Sequence, residues 1–159
     1  FLINERIKFL IKLHPYDEQK VMYSKMSNLN FKILRSCEFA EERIQTKDIF
    51  GSIDLMITDY SSSFMDFLPF KKPIIFFCPD YKQYKKERGF MVNPLSSRLP
   101  GPIYYRKDDL IQGILNYSKN CNYELLNNVK NLYHKHSDGK NCERVIKLLN
   151  EIISKNSNS

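Results

Sequence analysis

What this 159-residue chain lacks sets the first limits on its chemistry. No apolar run approaches the roughly 20 residues needed to cross a bilayer. No basic, apolar, small-residue series at the N-terminus marks a signal peptide, so a soluble protein is expected. Cys37, Cys78, Cys121 and Cys142 form no C-x-x-C pair and stand at no metal spacing from a histidine. That argues against a zinc site or a disulfide framework and for reduced thiols in a cytoplasmic protein. There is no internal repeat, no heptad pattern, no low-complexity linker and no Asp-x-Asp cluster for a divalent metal. The first residue is Phe1 rather than methionine, so the sequence reads as a fragment of a longer chain.

What is present is the composition of an ordinary globular domain, 42% hydrophobic and 27% charged. At this length one hydrophobic core suffices, and a single domain over residues 1–155 with a disordered tail at 156–159 is expected. The net charge of +7 points to anionic partners: nucleic acid, an acidic membrane surface or phosphorylated small molecules. Composition does not choose among them, nor does it set aside a merely lysine-rich surface.

The hydrophobic patterning alternates between short apolar runs and helical spacing. Arg6–Pro15 reads as a strand closed by proline, Tyr16–Met26 as a helix, Phe31–Arg35 as a second strand and Thr46–Ile53 as a short helix capped by Thr46. Asp54–Asp59 is a strand, Ser62–Phe70 a helix and Lys72–Asp80 a strand. Residues 81–105, with three prolines and two glycines, read as a long loop ending in a short extended piece. Three helices follow, over 107–120, 122–136 and 139–155. Strands alternating with helices predict a parallel α/β sheet of Rossmann-like type.

Within that frame "ITDYSSSFMDF", residues 57–67, puts an aspartate, a tyrosine and three serines between two apolar elements. In open parallel sheets ligands bind at the carboxyl ends of the strands, where the next helix presents unpaired N–H groups and a positive dipole end. Serines there act as a helix cap or as donors to phosphate oxygens, and spacing alone does not decide between the two. No G-x-S-x-G elbow surrounds them, which argues against a serine nucleophile.

"IKLHP", then "DIFGSIDLMITDYSSSFMDFLPFKKPIIFFCPD", "ERGF", "PGP" and "SDGKNCERV" together resemble, in order and spacing, the C-terminal part of the CDP-glycerol glycerophosphotransferase family. That family comprises the teichoic acid primases and polymerases and related capsule polymerases, and the resemblance runs from about Ile7 to Leu149. It implies one half of a GT-B architecture: two Rossmann-like domains with the active site between them, of which this half binds a CDP-activated polyol donor. The acceptor-facing N-terminal domain, with a second histidine, has no counterpart here, so this chain alone is expected to bind without catalysing. No cofactor and no metal are implied. The acceptor would be a lipid-linked primer or a growing polymer, with the enzyme cytoplasmic and peripheral on the inner face of the membrane.

The resemblance also suggests site residues. His14 matches an active-site histidine that orients the donor phosphates or does acid–base work. Ser61 and Ser62 match phosphate-binding serines, with Thr58 and Asp59 preceding them. Asp66, one turn into the helix, either faces the site or complements the helix dipole. Arg88 in "ERGF" is structural or donor-facing. Asp138 and Gly139 form a turn before the last helix, and Arg144 is placed to fork onto a phosphate. Asn141-Cys142 departs from the small Ala-Ser pair often found there. Lys82, Lys85 and Lys86 beside Tyr81, Tyr84 and Phe90 suit an anionic membrane surface or nucleic acid, and the resemblance favours the membrane, with no nucleic acid as partner. Two alternatives stand beside this reading: a GT-B glycosyltransferase using a nucleotide-sugar, and a basic nucleic-acid-binding module.

Overall fold

A computed structural model describes residues 7–14, 17–18, 30–90, 95–117 and 119–156, and it divides into two compact units, Phe1–Gly51 and Ser52–Ser159. In the first unit the two apolar runs become strands β1 (Phe9–Lys12) and β2 (Phe31–Leu34), which pair in parallel from Phe9↔Phe31 to Lys12↔Leu34. Helix α1 (Ser36–Glu41) follows β2, and Ile33, Leu34, Phe39 and Phe50 are buried. The helix expected over Tyr16–Met26 lies outside the described residues, apart from a turn at Asp17–Glu18.

That turn places Glu18 at the start of α1. Its carboxylate accepts from the Ser36 N–H at 3.0 and 3.1 Å and from the Ser36 hydroxyl at 2.8 Å, and it pairs with Lys12 Nζ at 2.7 Å. A carboxylate here satisfies an unpaired helix N–H and sits at the positive end of the dipole. The Lys12 bond, followed by those from Ser36, holds the Glu18 carboxyl at about 2 instead of the ordinary 4.5.

The helix expected over Thr46–Ile53 is a seven-residue 3-10 turn, Thr46–Ser52, and Thr46 does not cap it. Asp48 folds back instead, its Oδ2 accepting the Gln45 N–H at 2.6 Å while its own N–H donates to the Gln45 carbonyl at 2.9 Å. These i to i+3 contacts close the tighter helix.

The second unit is built on three parallel strands in the order β3 (Met56–Thr58), β4 (Ile74–Phe77), β5 (Ile103–Tyr104). The middle strand explains its own sequence: Ile74, Ile75 and Phe76 are at most 1% exposed, the continuous apolar run of a parallel strand covered on both faces. Close approach fixes β5. A Cβ on Gly101 would meet the Ile74 carbonyl at 1.8 Å, so that position admits only glycine, while one on Gly113 would meet the Tyr104 ring at 2.3 Å and have to displace it.

Helices α2 (Ser63–Phe67), with a 3-10 extension Leu68–Phe70, and α3 (Tyr81–Glu87) lie between these strands, and α4 (Lys107–Tyr117), α5 (Tyr123–Tyr133) and α6 (Asn141–Asn156) follow β5. The expected helix over Ser62–Phe70 changes type at Leu68, where Pro69 removes a backbone donor. The long loop expected after Asp80 is corrected: its first seven residues are helix α3, and a 3-10 turn, Leu95–Arg98, precedes β5. On α6 the aliphatic residues Val145, Ile146, Leu148, Leu149, Ile152 and Ile153 are all largely exposed. Among the described residues no helix is long and apolar enough to cross a membrane.

Candidate donor-binding site

The carboxyl ends of β3 and β4 are joined by hydrogen bonds and stacked rings. β3 ends at Thr58, opposite Phe76, and the chain then turns through Asp59–Ser62 into α2. Asp59 shapes that turn: its Oδ1 accepts the Ser61 N–H at 2.9 Å, the aspartate-headed turn expected of this residue type. Ser61 Oγ accepts the Ser63 N–H at 3.3 Å and lies 3.1 Å from Ser63 Oγ. Ser62 stands at the cap position, with φ −69° and ψ −6°, and makes no side-chain cap bond. The capping work therefore falls to Ser61, one residue early, while the Ser61 and Ser62 side chains stay exposed at the turn. Asp66 lies in the first turn of α2, where a carboxylate complements the dipole.

Tyr60 ties this turn to the next one. Its hydroxyl donates to Asp80 Oδ1 at 3.0 Å across the carboxyl edge of the sheet. Its ring stacks on Tyr84 with centroids 3.8 Å apart, and Phe90 stacks in turn on Tyr84 at 5.5 Å and on Tyr81 at 5.3 Å. Tyr105, just after β5, meets Tyr81 edge-on at 5.4 Å. Arg88, the C-cap of α3, lies over Tyr84 with its guanidinium 6.0 Å from the ring centroid. Arg88 and the serine turn are thus held by one aromatic cluster. Lys82, Lys85 and Lys86 remain exposed on the same helix.

Burial and the Asp80 bond raise the Tyr60 phenol well above its ordinary value, so it stays a donor. Burial pushes the Cys78 thiol up to about 11; its interaction with the Tyr60 hydroxyl opposes this, and the Asp59 and Asp80 carboxylates add to it. Cys78 is therefore a protonated, fully buried thiol and not a nucleophile.

A second cluster lies before α6. The Arg144 guanidinium donates through both terminal nitrogens to the Asp138 carboxylate, Nη1 to Oδ1 at 2.9 Å and Nη2 to Oδ2, and Nη1 also reaches Asn141 Oδ1 at 3.0 Å. Asp138 Oδ1 accepts the Lys140 N–H at 3.1 Å as well. Arg144 first, then the Lys140 amide, hold the Asp138 carboxyl at about 2. Gly139 between them has φ +75°, the left-handed conformation that glycine takes without strain. The three expected residues are brought together, with the arginine fork directed at Asp138.

His14 belongs to the first unit. It follows the carboxyl end of β1, is exposed, and its carbonyl accepts the Asp17 N–H at 2.8 Å. Among the described residues no three His, Cys, Asp or Glu side chains gather into a metal-binding group.

Sequence reading missed Asp80, the role of Tyr60, and His134. The first two carried a signal: Tyr81 and Tyr84 at helical spacing, with Phe90 beyond, mark an inward face for α3. His134 carried none, since its ring Nε2 lies 2.7 Å from the Met65 carbonyl, 69 residues away in the chain.

Fold and site together define a parallel α/β protein with an exposed, serine-bearing turn at the carboxyl edge of its sheet, the architecture expected of one half of a GT-B-like fold. The CDP-glycerol:poly(glycerophosphate) glycerophosphotransferase family model matches residues 1–151, and the chain belongs to that family. It is 28% identical over 152 residues to the teichoic acid glycerol-phosphate primase of Bacillus subtilis strain 168, covering 96% of this chain and 37% of that protein. Against the teichoic acid ribitol-phosphate primase of Bacillus spizizenii it is 33% identical over 107 residues, 67% of this chain and 27% of the relative. The solved wall teichoic acid polymerase TagF superposes with a TM-score of 0.62 at 25% identity, over 96% of this chain and 36% of that one. The chain thus spans little more than a third of the length of the relatives it matches most fully.

Proposed function

We propose that this chain is the donor-binding domain of a polyol-phosphate transferase and holds a CDP-activated polyol, CDP-glycerol or a close analogue. The observation that carries the reading is the exposed Ser61–Ser62 turn at the carboxyl edge of a parallel sheet, in a chain of the glycerophosphotransferase family. Relatives named for glycerol phosphate and for ribitol phosphate both match, so the polyol is stated as a class.

In the proposed reaction an acceptor hydroxyl attacks the β-phosphorus of the donor. A new P–O bond forms, the anhydride bond to the α-phosphate breaks, CMP leaves, and the hydroxyl proton passes to a base. The domain's part is positioning and charge stabilisation, which phosphoryl transfer chiefly needs. Ser61 and Ser62 hydroxyls donate to phosphate oxygens, while Thr58 and Asp59 hold the turn. Arg88 faces the same edge from α3, and Asp66 lies one turn behind. His14 orients the phosphates or moves the proton. Arg144 reaches a phosphate only by exchanging Asp138 for it, with Gly139 as the pivot. The acceptor is lipid-linked or polymeric, supplied with the help of an N-terminal domain, and the exposed lysines of α3 face an anionic membrane on its cytoplasmic side.

Calorimetric titration with CDP tests the reading. Ser61→Ala combined with Ser62→Ala is expected to weaken binding by about 1.5 to 3 kcal/mol per lost charged hydrogen bond with folding intact. His14→Ala is expected to weaken it far more than it lowers the thermal midpoint. Unchanged affinity in the serine variant reduces the turn to a helix cap. Competition between a CDP-polyol and a UDP-sugar separates this reading from a glycosyltransferase: a preference for the sugar nucleotide would overturn it.

A further inference from the structure

Helix α2 is five residues long, too short to hold its own orientation, because an isolated helix of one or two turns is unstable in water. Its buried side chains Phe64 and Phe67 anchor one face. Against that face stands the end of α5: Tyr133 meets the Phe64 ring edge-on at 5.7 Å, and His134, the C-cap of α5, reaches the Met65 carbonyl with Nε2 at 2.7 Å. A carbonyl only accepts, so Nε2 carries the proton and donates.

We propose that His134 is a positioning residue for the serine turn: its Nε2–H bond to the Met65 carbonyl fixes the angle at which α2 presents Ser61 and Ser62. The functional consequence rests on the donor-binding reading above. The bond is not needed to satisfy a buried group. The Met65 carbonyl also accepts the Leu68 N–H, and a carbonyl has two lone pairs, so it keeps a partner when His134 is removed. What is lost is direction. Phe64 and Phe67 fix which face of the short helix is buried, and the His134 bond adds a grip on its backbone from a distant part of the chain. The partner lies on an element 69 residues away, so the turn and the segment leading to Asp138 and Arg144 are held in one frame.

The test compares His134→Phe, which keeps a ring and removes the donor, with His134→Gln, which restores an N–H. In the parent chain and both variants, CDP affinity is measured by calorimetry, thermal midpoint by circular dichroism, and amide exchange over residues 61–68 by mass spectrometry. His134→Phe is expected to weaken CDP binding about five- to tenfold, the equivalent of one hydrogen bond. It should also speed exchange selectively in that segment, with the thermal midpoint nearly unmoved. His134→Gln is expected to bind within about twofold of the parent and to restore slow exchange. Parental affinity and exchange in His134→Phe overturn the proposal, as does equal loss in both variants, which shows that ring shape rather than N–H donation matters. If the parent itself fails to bind CDP, the donor-binding reading falls, and the exchange data decide the His134 brace alone: unchanged exchange in His134→Phe sinks it.

Discussion

At the scale of single residues, the carboxylates of this chain are used to hold turns. Asp59 takes the Ser61 N–H, Asp48 the Gln45 N–H, Asp138 the Arg144 fork, and Glu18 the start of α1. Glu18 makes the sharpest prediction. Its folded pKa is depressed from 4.5 to about 2, so the stability it contributes is fully present above the unfolded value and drains away as pH falls through the folded one. Acid titration of the parent and of Glu18→Gln is therefore expected to show a stability difference at pH 6 that shrinks between about pH 4.5 and pH 2. A difference that stays constant across that window would mean the Lys12 and Ser36 contacts do not couple to folding. Residue identity also makes the serine turn legible in the sequence, because hydroxyls at a strand-to-helix junction have few physical uses. It does not reveal which serine caps, since that depends on Ser62 adopting helical backbone angles.

At the scale of elements, legibility follows hydrophobic contrast. β4 is readable because Ile74–Phe77 is uniformly apolar, and α4, α5 and α6 are readable from their 3.6-residue spacing, each with ends shifted by a few residues. Helix α3 is not. Four of its seven residues are Lys or Glu, and its inward face consists of Tyr81 and Tyr84, whose partners Tyr60, Phe90 and Tyr105 come from elsewhere in the chain. With those rings turned inward, Lys82, Lys85 and Lys86 stay exposed, and this helix makes its own prediction. Cosedimentation with vesicles rich in anionic lipid is expected to fall when all three lysines become glutamine and to weaken as salt rises, about 1 kcal/mol being associated with each basic residue near such a surface. Retention independent of both the lysines and the salt would remove α3 from any membrane contact.

At the scale of the whole molecule, the chain covers little more than a third of the proteins it resembles most fully, and its candidate donor site is a single wall. Transfer between two substrates requires both to be held in near-attack geometry. The 159-residue chain is therefore expected to retain CDP and yet form no polymer from a CDP-polyol and a primer. Robust synthesis by the purified chain would refute the donor-domain reading. The parallel α/β class is legible in the alternation of strands and helices, and the fold bears it out. The division at Gly51 is not, because no composition shift or linker accompanies it.

The Tyr60–Tyr84 stack also has an optical consequence. The chain has no tryptophan and ten tyrosines, so its near-ultraviolet signal is dominated by phenol rings. Two of them lie nearly parallel at 3.8 Å, one adjacent to Ser61 and the other under Arg88, close enough for their electronic transitions to couple. The molecule thus carries its own chromophore pair beside the turn that the donor phosphates would occupy. Its dichroic band offers a label-free reporter of events at that edge, which substitution of Tyr84 alone would extinguish.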